Sequence, residues 1–155
     1  VDNNFQVNLI VRSMKSRIAD ALMNRLREVR SIQSIEFDQV RLRSDDFMSV
    51  DCPAIQLIDI TETIEHERSR AKKTWSLALE LVMKATADNP ISQQDLWNLQ
   101  YEVERMLWGN PNLGIPGVIH LRYLGSTTDL HLLDPYYFTR LDLEVLYYEP
   151  LVSEC

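Results

Sequence analysis

The stretch from Lys73 to Thr86 alternates with a period of two: Trp75, Leu77, Leu79, Leu81 and Met83 fall on one side, Ser76, Ala78, Glu80 and Lys84 on the other. Successive side chains of a β-strand point to opposite faces, so this order predicts a strand with one buried face and one wetter face. A helix would scatter the same residues around its circumference. The rhythm returns from Tyr136 to Tyr148, where Tyr137, Leu141, Leu143, Val145 and Tyr147 alternate with Arg140, Asp142 and Glu144, and Pro150 is expected to end it. A fold that satisfies both segments needs a sheet with one face turned to a core, and something amphipathic to complete that core.

Two segments supply the cover. Val7, Val11, Met14, Ile18, Leu22, Leu26 and Val29 recur every three or four residues, which predicts an amphipathic helix from Val7 to Arg30. Its exposed side is charged, with Arg12, Lys15, Arg17, Asp20, Arg25, Arg27 and Glu28. A second helix follows Pro90, with Ser92 as N-cap, Asp95 three residues on, Leu96, Leu99, Val103 and Leu107 as the buried stripe, and Gly109 as the stop. Trp97 and Trp108 lie on nearly the same side of that helix. Large aromatics usually bury, so both read first as core, with a partner-facing patch as the alternative.

The remaining segments fill in the sheet. Ile35 to Val40 reads as a first strand, Arg43 to Asp51 as a loop, and Pro53 opens a strand over Ala54 to Thr61. Asn110 to Gly117 is a turn-rich connection, Val118 to Leu124 a strand with Ile119, Leu121 and Tyr123 on its apolar face, and Gly125 to Asp134 a loop. The order gives an α+β fold: a mainly antiparallel (mixed) sheet of about five strands with two helices packed on one face. All 155 residues read as a single domain.

Composition narrows the function. A formal net charge of -7 argues against a general nucleic-acid binder, which needs a concentrated surplus of Lys and Arg. The 45% hydrophobic and 25% charged content is that of a soluble globular domain, and no apolar run approaches the ~20 residues of a membrane span. Cys52 and Cys155, far apart, read as reduced thiols, and the chain is expected to mature in a cytoplasm.

The search for chemistry favours interaction over catalysis. His66-Glu67 begins like a zinc-protease motif, but position 70 is Arg70 where the second histidine ligand belongs. Asp45, Asp46, Asp51 and Asp59 are candidates for a magnesium ion, with a solvated loop as the plainer explanation. No nucleophile elbow or phosphate-binding glycine loop is present, and His120 and His131 read as exposed side chains. No catalytic residue, metal or cofactor is therefore expected.

The segment Glu62 to Lys73 is segregated by sign. Glu62, Glu65 and Glu67 come first, then Arg68, Arg70, Lys72 and Lys73. A hairpin tip of this kind joins neighbouring copies head to tail, and such heterologous contacts close into rings. The plainer reading is a solvated tip, since exposed pairs contribute little. On the ring reading, reversing Lys72 and Lys73 to Glu weakens assembly without harming the fold.

The order of elements resembles the tail terminator family of siphophages and myophages, which pair a long N-terminal helix with a Pro-led strand. The likeness spans nearly the full chain. It is carried by Pro53-Ala54-Ile55-Gln56-Leu57, the charged hairpin tip, Thr74-Trp75-Ser76-Leu77-Ala78-Leu79, Asp95-Leu96-Trp97-Asn98-Leu99 and Arg140-Leu141-Asp142-Leu143-Glu144-Val145-Leu146-Tyr147-Tyr148. The resemblance implies a non-enzymatic virion protein, a homo-hexameric ring on the head-proximal end of the tail tube that ends tube polymerisation and presents a docking surface for the head. Its implied partners are further copies of itself, the tail tube protein and a head-completion or connector protein. Genome DNA would pass through its channel without specific binding, and no membrane is involved. A head-completion or neck adaptor protein is the alternative within that class; a metal-dependent nuclease and a monomeric binding module are the alternatives outside it.

Overall fold

The computed structural model describes residues 12–28, 31–32, 35–36, 39–42, 54–84, 93–133 and 136–151. At its centre β5 (Arg70–Lys84) and β7 (Tyr136–Pro150) pair antiparallel without a break, from Arg70 opposite Pro150 to Lys84 opposite Tyr136. β4 (Ala54–His66) flanks β5 and β6 (Val118–Leu133) flanks β7, both antiparallel. The fold is α+β: these four long antiparallel strands are combined with helices α1 (Met14–Arg27) and α2 (Gln93–Trp108). The short β3 (Gln39–Leu42) adds to β4 in parallel, so the sheet runs β3-β4-β5-β7-β6.

The apolar side of the period-two pattern does what its order requires, but the opposite side is not the wet face expected: Ala78 is fully buried and so are Val82, Ala54 and Gln56 beside it. Trp75, Leu77, Leu79, Leu81 and Met83 of β5 are buried, as are Leu141, Leu143, Val145 and Tyr147 of β7. Ile18, Leu22 and Leu26 from α1 and Leu96, Leu99, Val103 and Leu107 from α2 join them in one apolar cluster. Each fully buried Leu or Ile in such a cluster contributes roughly 1.5–3 kcal/mol relative to exposure. α1 sits against β3 and β4, and α2 against β6, which places the helices over opposite halves of the sheet.

Local chemistry fixes the ends of α1. The Ser13 side chain accepts the Ser16 N–H at 3.1 Å, and Glu149 Oε2 accepts the Met14 N–H at 2.9 Å, so a cap and a carboxylate both meet the positive end of the helix dipole. At the other end Arg27 donates to the Val40 carbonyl at 3.0 Å, tying the helix to β3. Gly117, at φ +97, opens β6 where a Cβ would meet the Met14 side chain at 3.1 Å and the Tyr148 carbonyl at 3.2 Å.

Several boundaries differ from the sequence reading. The described helix begins at Met14 and ends at Arg27, while Val7 to Val11, Val29 and Arg30 lie outside the described residues. The expected strand from Ile35 to Val40 does not form as one piece. Instead β2 (Ile35–Glu36) pairs antiparallel with β1 (Ser31–Ile32), and only Gln39–Leu42 reaches the large sheet. β4 runs past Thr61 to His66, and β7 includes Pro150. Pro53, Pro90, Ser92 and the expected loop from Arg43 to Asp51 fall outside the described residues.

The largest correction is β6. Gly125 to Leu133, expected as a loop, continues the strand, with Ser126 opposite Leu141, Thr127 opposite Arg140 and Thr128 opposite Thr139. The long β7 offers an unbroken edge, and pairing the backbone there outweighs the low strand propensity of Gly125 and Asp129, while Thr127 and Thr128 themselves favour a strand. Register shifts between Val118 and His120 and between Tyr123 and Gly125 break the alternation. The first of them leaves Ile119 exposed, where the sequence placed it with Leu121 and Tyr123 on the apolar face.

Gln56 is fully buried, and among the described residues neither its Nε2 nor its Oε1 has a hydrogen-bond partner. A buried amide in that condition carries a desolvation penalty of about 1–3 kcal/mol. Gln56→Leu, which removes both polar atoms at similar volume, is therefore expected to raise the urea midpoint, by about 1 kcal/mol in stability. An unchanged or lower midpoint would show that the amide is satisfied in solution.

Candidate assembly surface

Leu96, Leu99, Val103 and Leu107 fix which side of α2 faces the sheet. Trp97, Tyr101, Glu104 and Trp108 follow spacings of four, three and four residues, so they share another face roughly a third of a turn away. The consequence is a stripe of large aromatics in water: Trp97 is 54%, Tyr101 54% and Trp108 60% exposed. The core reading of Trp97 and Trp108 is corrected. The helix has already committed the adjacent positions Leu96 and Leu107 to the core, and a surface helix buries only one stripe.

Contacts with β6 place that stripe. The Trp108 ring meets Tyr123 edge to face, with centroids 6.2 Å apart, and Gln100 Nε2 donates to Ser126 Oγ at 2.9 Å. The aromatic flank therefore lies on the β6 side of the molecule, away from α1. Glu104 lies within it, and the exposed Arg105, paired with Glu102, lies beside it. Burial raises the Tyr123 hydroxyl above its ordinary pKa and the Glu104 carboxylate adds to the shift, which keeps that phenol protonated beside a negative charge.

The charged hairpin stands at the other side, where β4 and β5 run on beyond β3. A register shift between Asp59 and Thr61 changes which β4 residues look toward the helices. Before it, Ile55 and Leu57 are buried; after it, Glu62 takes the inward position and accepts the Tyr147 hydroxyl at 2.5 Å. Burial raises the Tyr147 pKa far above the ordinary tyrosine range, with Glu62 next in effect, so this phenol stays a donor. Lys73 pairs with Glu149 at 2.6 Å, and both side chains are mostly buried.

Of the seven residues expected at an oligomer interface, Glu62 and Lys73 thus serve the fold. Glu67 and Arg70 pair with each other at 2.9 Å, and the Arg70 guanidinium lies over the Tyr148 ring at 3.6 Å. Glu65 and Arg68 are exposed and Lys72, opposite Glu65 in the register, is half-buried. Reversing Lys73 would set a second negative charge beside Glu149 and damage folding, so a clean charge reversal is confined to Arg68 and Lys72. Ile60 and Ile64, exposed on the same arm, add apolar surface that charge counting did not reveal.

A third feature is an open cleft of about 340 Å³ between α1, Leu42, Leu57 and Trp75. Asp59 closes one end, accepting from Trp75 Nε1 at 2.8 Å and pairing with Lys15 at 3.0 Å, while Lys15 Nζ lies 5.0 Å from the Trp75 ring centroid. Burial opposes ionisation of Asp59, but the hydrogen bonds from Trp75 and Lys15 outweigh it and hold the carboxyl below its usual range. The charge is balanced within the chain. Among the described residues no group of three His, Cys, Asp or Glu side chains is placed to hold a metal ion. Asp45, Asp46, Asp51, Cys52 and Cys155 lie outside the described residues, His66 is exposed, His120 half-buried, and His131 falls within β6.

Compared with known protein families, the sequence matches no family model, and it matches no curated protein.

Glu149 makes the fold sensitive to acid. The Lys73 ammonium first, then the Met14 N–H, hold its pKa below the ordinary glutamate value. Because the folded pKa is the lower one, the stabilisation is full at neutral pH and is lost as pH falls through the ordinary glutamate range and the lowered value. Glu149→Gln is expected to lower the urea midpoint at pH 7 and to flatten its decline between about pH 5 and pH 3. A variant that keeps the full acid slope would assign that slope to other carboxylates.

Proposed function

We propose that this chain is a structural virion protein that caps the head-proximal end of a bacteriophage tail tube as a hexameric ring, stops tube polymerisation and gives the head a docking surface. The observation that carries this reading is the exposed aromatic flank of α2. Trp and Tyr dominate the energetically important positions of protein interfaces, and a contiguous exposed set of them on a domain with a well-filled core marks a surface that binds protein.

The order of elements supports the family likeness: a helix ahead of the sheet, a sheet whose apolar face is covered by both helices, and a second helix before the last two strands. The position of the two candidate surfaces supports a ring. Aromatic flank and charged hairpin belong to opposite halves of the sheet, an arrangement suited to head-to-tail contact between copies. The net charge of -7 suits a channel that lets DNA through without holding it. In this role the chain performs no catalysis; it contacts copies of itself, the tail tube protein and a head-completion protein.

Particles assembled without this protein test the role. Electron microscopy is expected to show overlong tubes without attached heads; tubes of normal length would exclude a terminator.

A further inference from the structure

The reading as a ring leaves open which surface of one copy meets which surface of the next. We propose that the β4–β5 hairpin of one copy seats on the aromatic flank of α2 in its neighbour; the inference rests on the ring reading above. Three observations carry it.

The first is chemical fit. The flank offers exposed Trp97, Tyr101 and Trp108 with half-buried Glu104, which accepts from Gln100 Nε2 at 3.1 Å, among them. The hairpin offers exposed Ile60 and Ile64, with Arg68 exposed at its tip and Arg70 and Lys72 on its β5 arm. Isoleucine side chains pack on indole faces, and a guanidinium stacks on them through cation–π attraction while its charge answers Glu104. The chain already uses such a contact within itself, where Arg70 lies over Tyr148.

The second is placement. The Trp108–Tyr123 contact puts the flank beside β6, the last strand on one side of the sheet, and the hairpin continues β4 and β5 past the end of β3 toward the other side. A plug on one side and a socket on the other give a heterologous contact. Contacts of that type repeat in one direction and close into a ring when the rotation allows.

The third is the poor fit of symmetric pairings. Flank against flank would leave Ile60, Ile64 and Arg68 of the hairpin unused, and tip against tip, where Arg68 can meet Glu65, would leave Trp97, Tyr101 and Trp108 in water. The free edge of β6 is a weak competitor as well, because its register shifts interrupt the ladder that an added strand needs.

The test is a pair of engineered thiols, Ile64→Cys and Tyr101→Cys, in a chain whose own cysteines are changed by Cys52→Ser and Cys155→Ser. Both positions are exposed, so the fold is expected to persist, as circular dichroism would verify. Treated with a short bis-maleimide after assembly on tail tubes, the double variant should give a covalent ladder that ends in a closed ring, and either thiol alone should give none. Arg68→Glu should lower assembly at least tenfold, and Glu104→Lys in the same chain should recover part of that loss. Rings seen by native mass spectrometry without a ladder would overturn the hairpin seat and leave the ring reading standing. If the unmodified chain forms no ring even with tubes present, the ring reading fails and this proposal with it.

Discussion

The unbroken pairing of β5 with β7 is the constraint that everything else inherits. Two strands of fifteen residues present a continuous apolar face from Trp75 to Met83 and from Leu141 to Tyr147. That face is useless in water and must be covered. α1 and α2 cover it, and their positions over the two halves of the sheet follow from its width. The hydrogen bonds of Glu149 to Lys73 and Met14 then fasten the start of α1 to the end of β7.

Covering the sheet also determines what is left outside. A helix lying on a sheet buries a single stripe, and α2 spends its stripe on Leu96, Leu99, Val103 and Leu107. Trp97, Tyr101 and Trp108 are excluded by geometry, whatever their hydrophobicity. In the same way, β5 and β7 extend together past the core to Arg70 and Pro150, and β4 accompanies them, so the hairpin stands clear of β3. The surfaces assigned to assembly are what remains of long elements after the core is satisfied.

The sequence made some of this legible and concealed the rest for identifiable reasons. β5, β7 and the buried stripe of α2 could be read because periodicity reports burial directly. β6 past Gly125 could not: Gly125, Ser126, Thr127 and Thr128 carry no apolar alternation, and their pairing depends on β7, which is distant in sequence. The inward turn of Glu62 was hidden because the register shift after Asp59 leaves no residue signature. The exposure of the tryptophans was recoverable, since Trp97 sits one position from Leu96 and so a hundred degrees around the helix. The preference of large aromatics for the core overrode that angle. The phage resemblance rests on the order of loose residue patterns, whereas the exposed flank speaks for a protein-binding surface in general.

The central claim is that the α2 flank leaves water when the protein assembles. The chain has three tryptophans, of which Trp75 is buried in the folded protein and Trp97 and Trp108 are not. Acrylamide quenching of the chain labelled with hydroxytryptophan, whose red-edge excitation separates it from any unlabelled partner protein, reads this directly. Strong quenching is expected in the free protein, and a large fall in quenching with a blue shift in the assembled state. Equal quenching in the free and assembled states would contradict it.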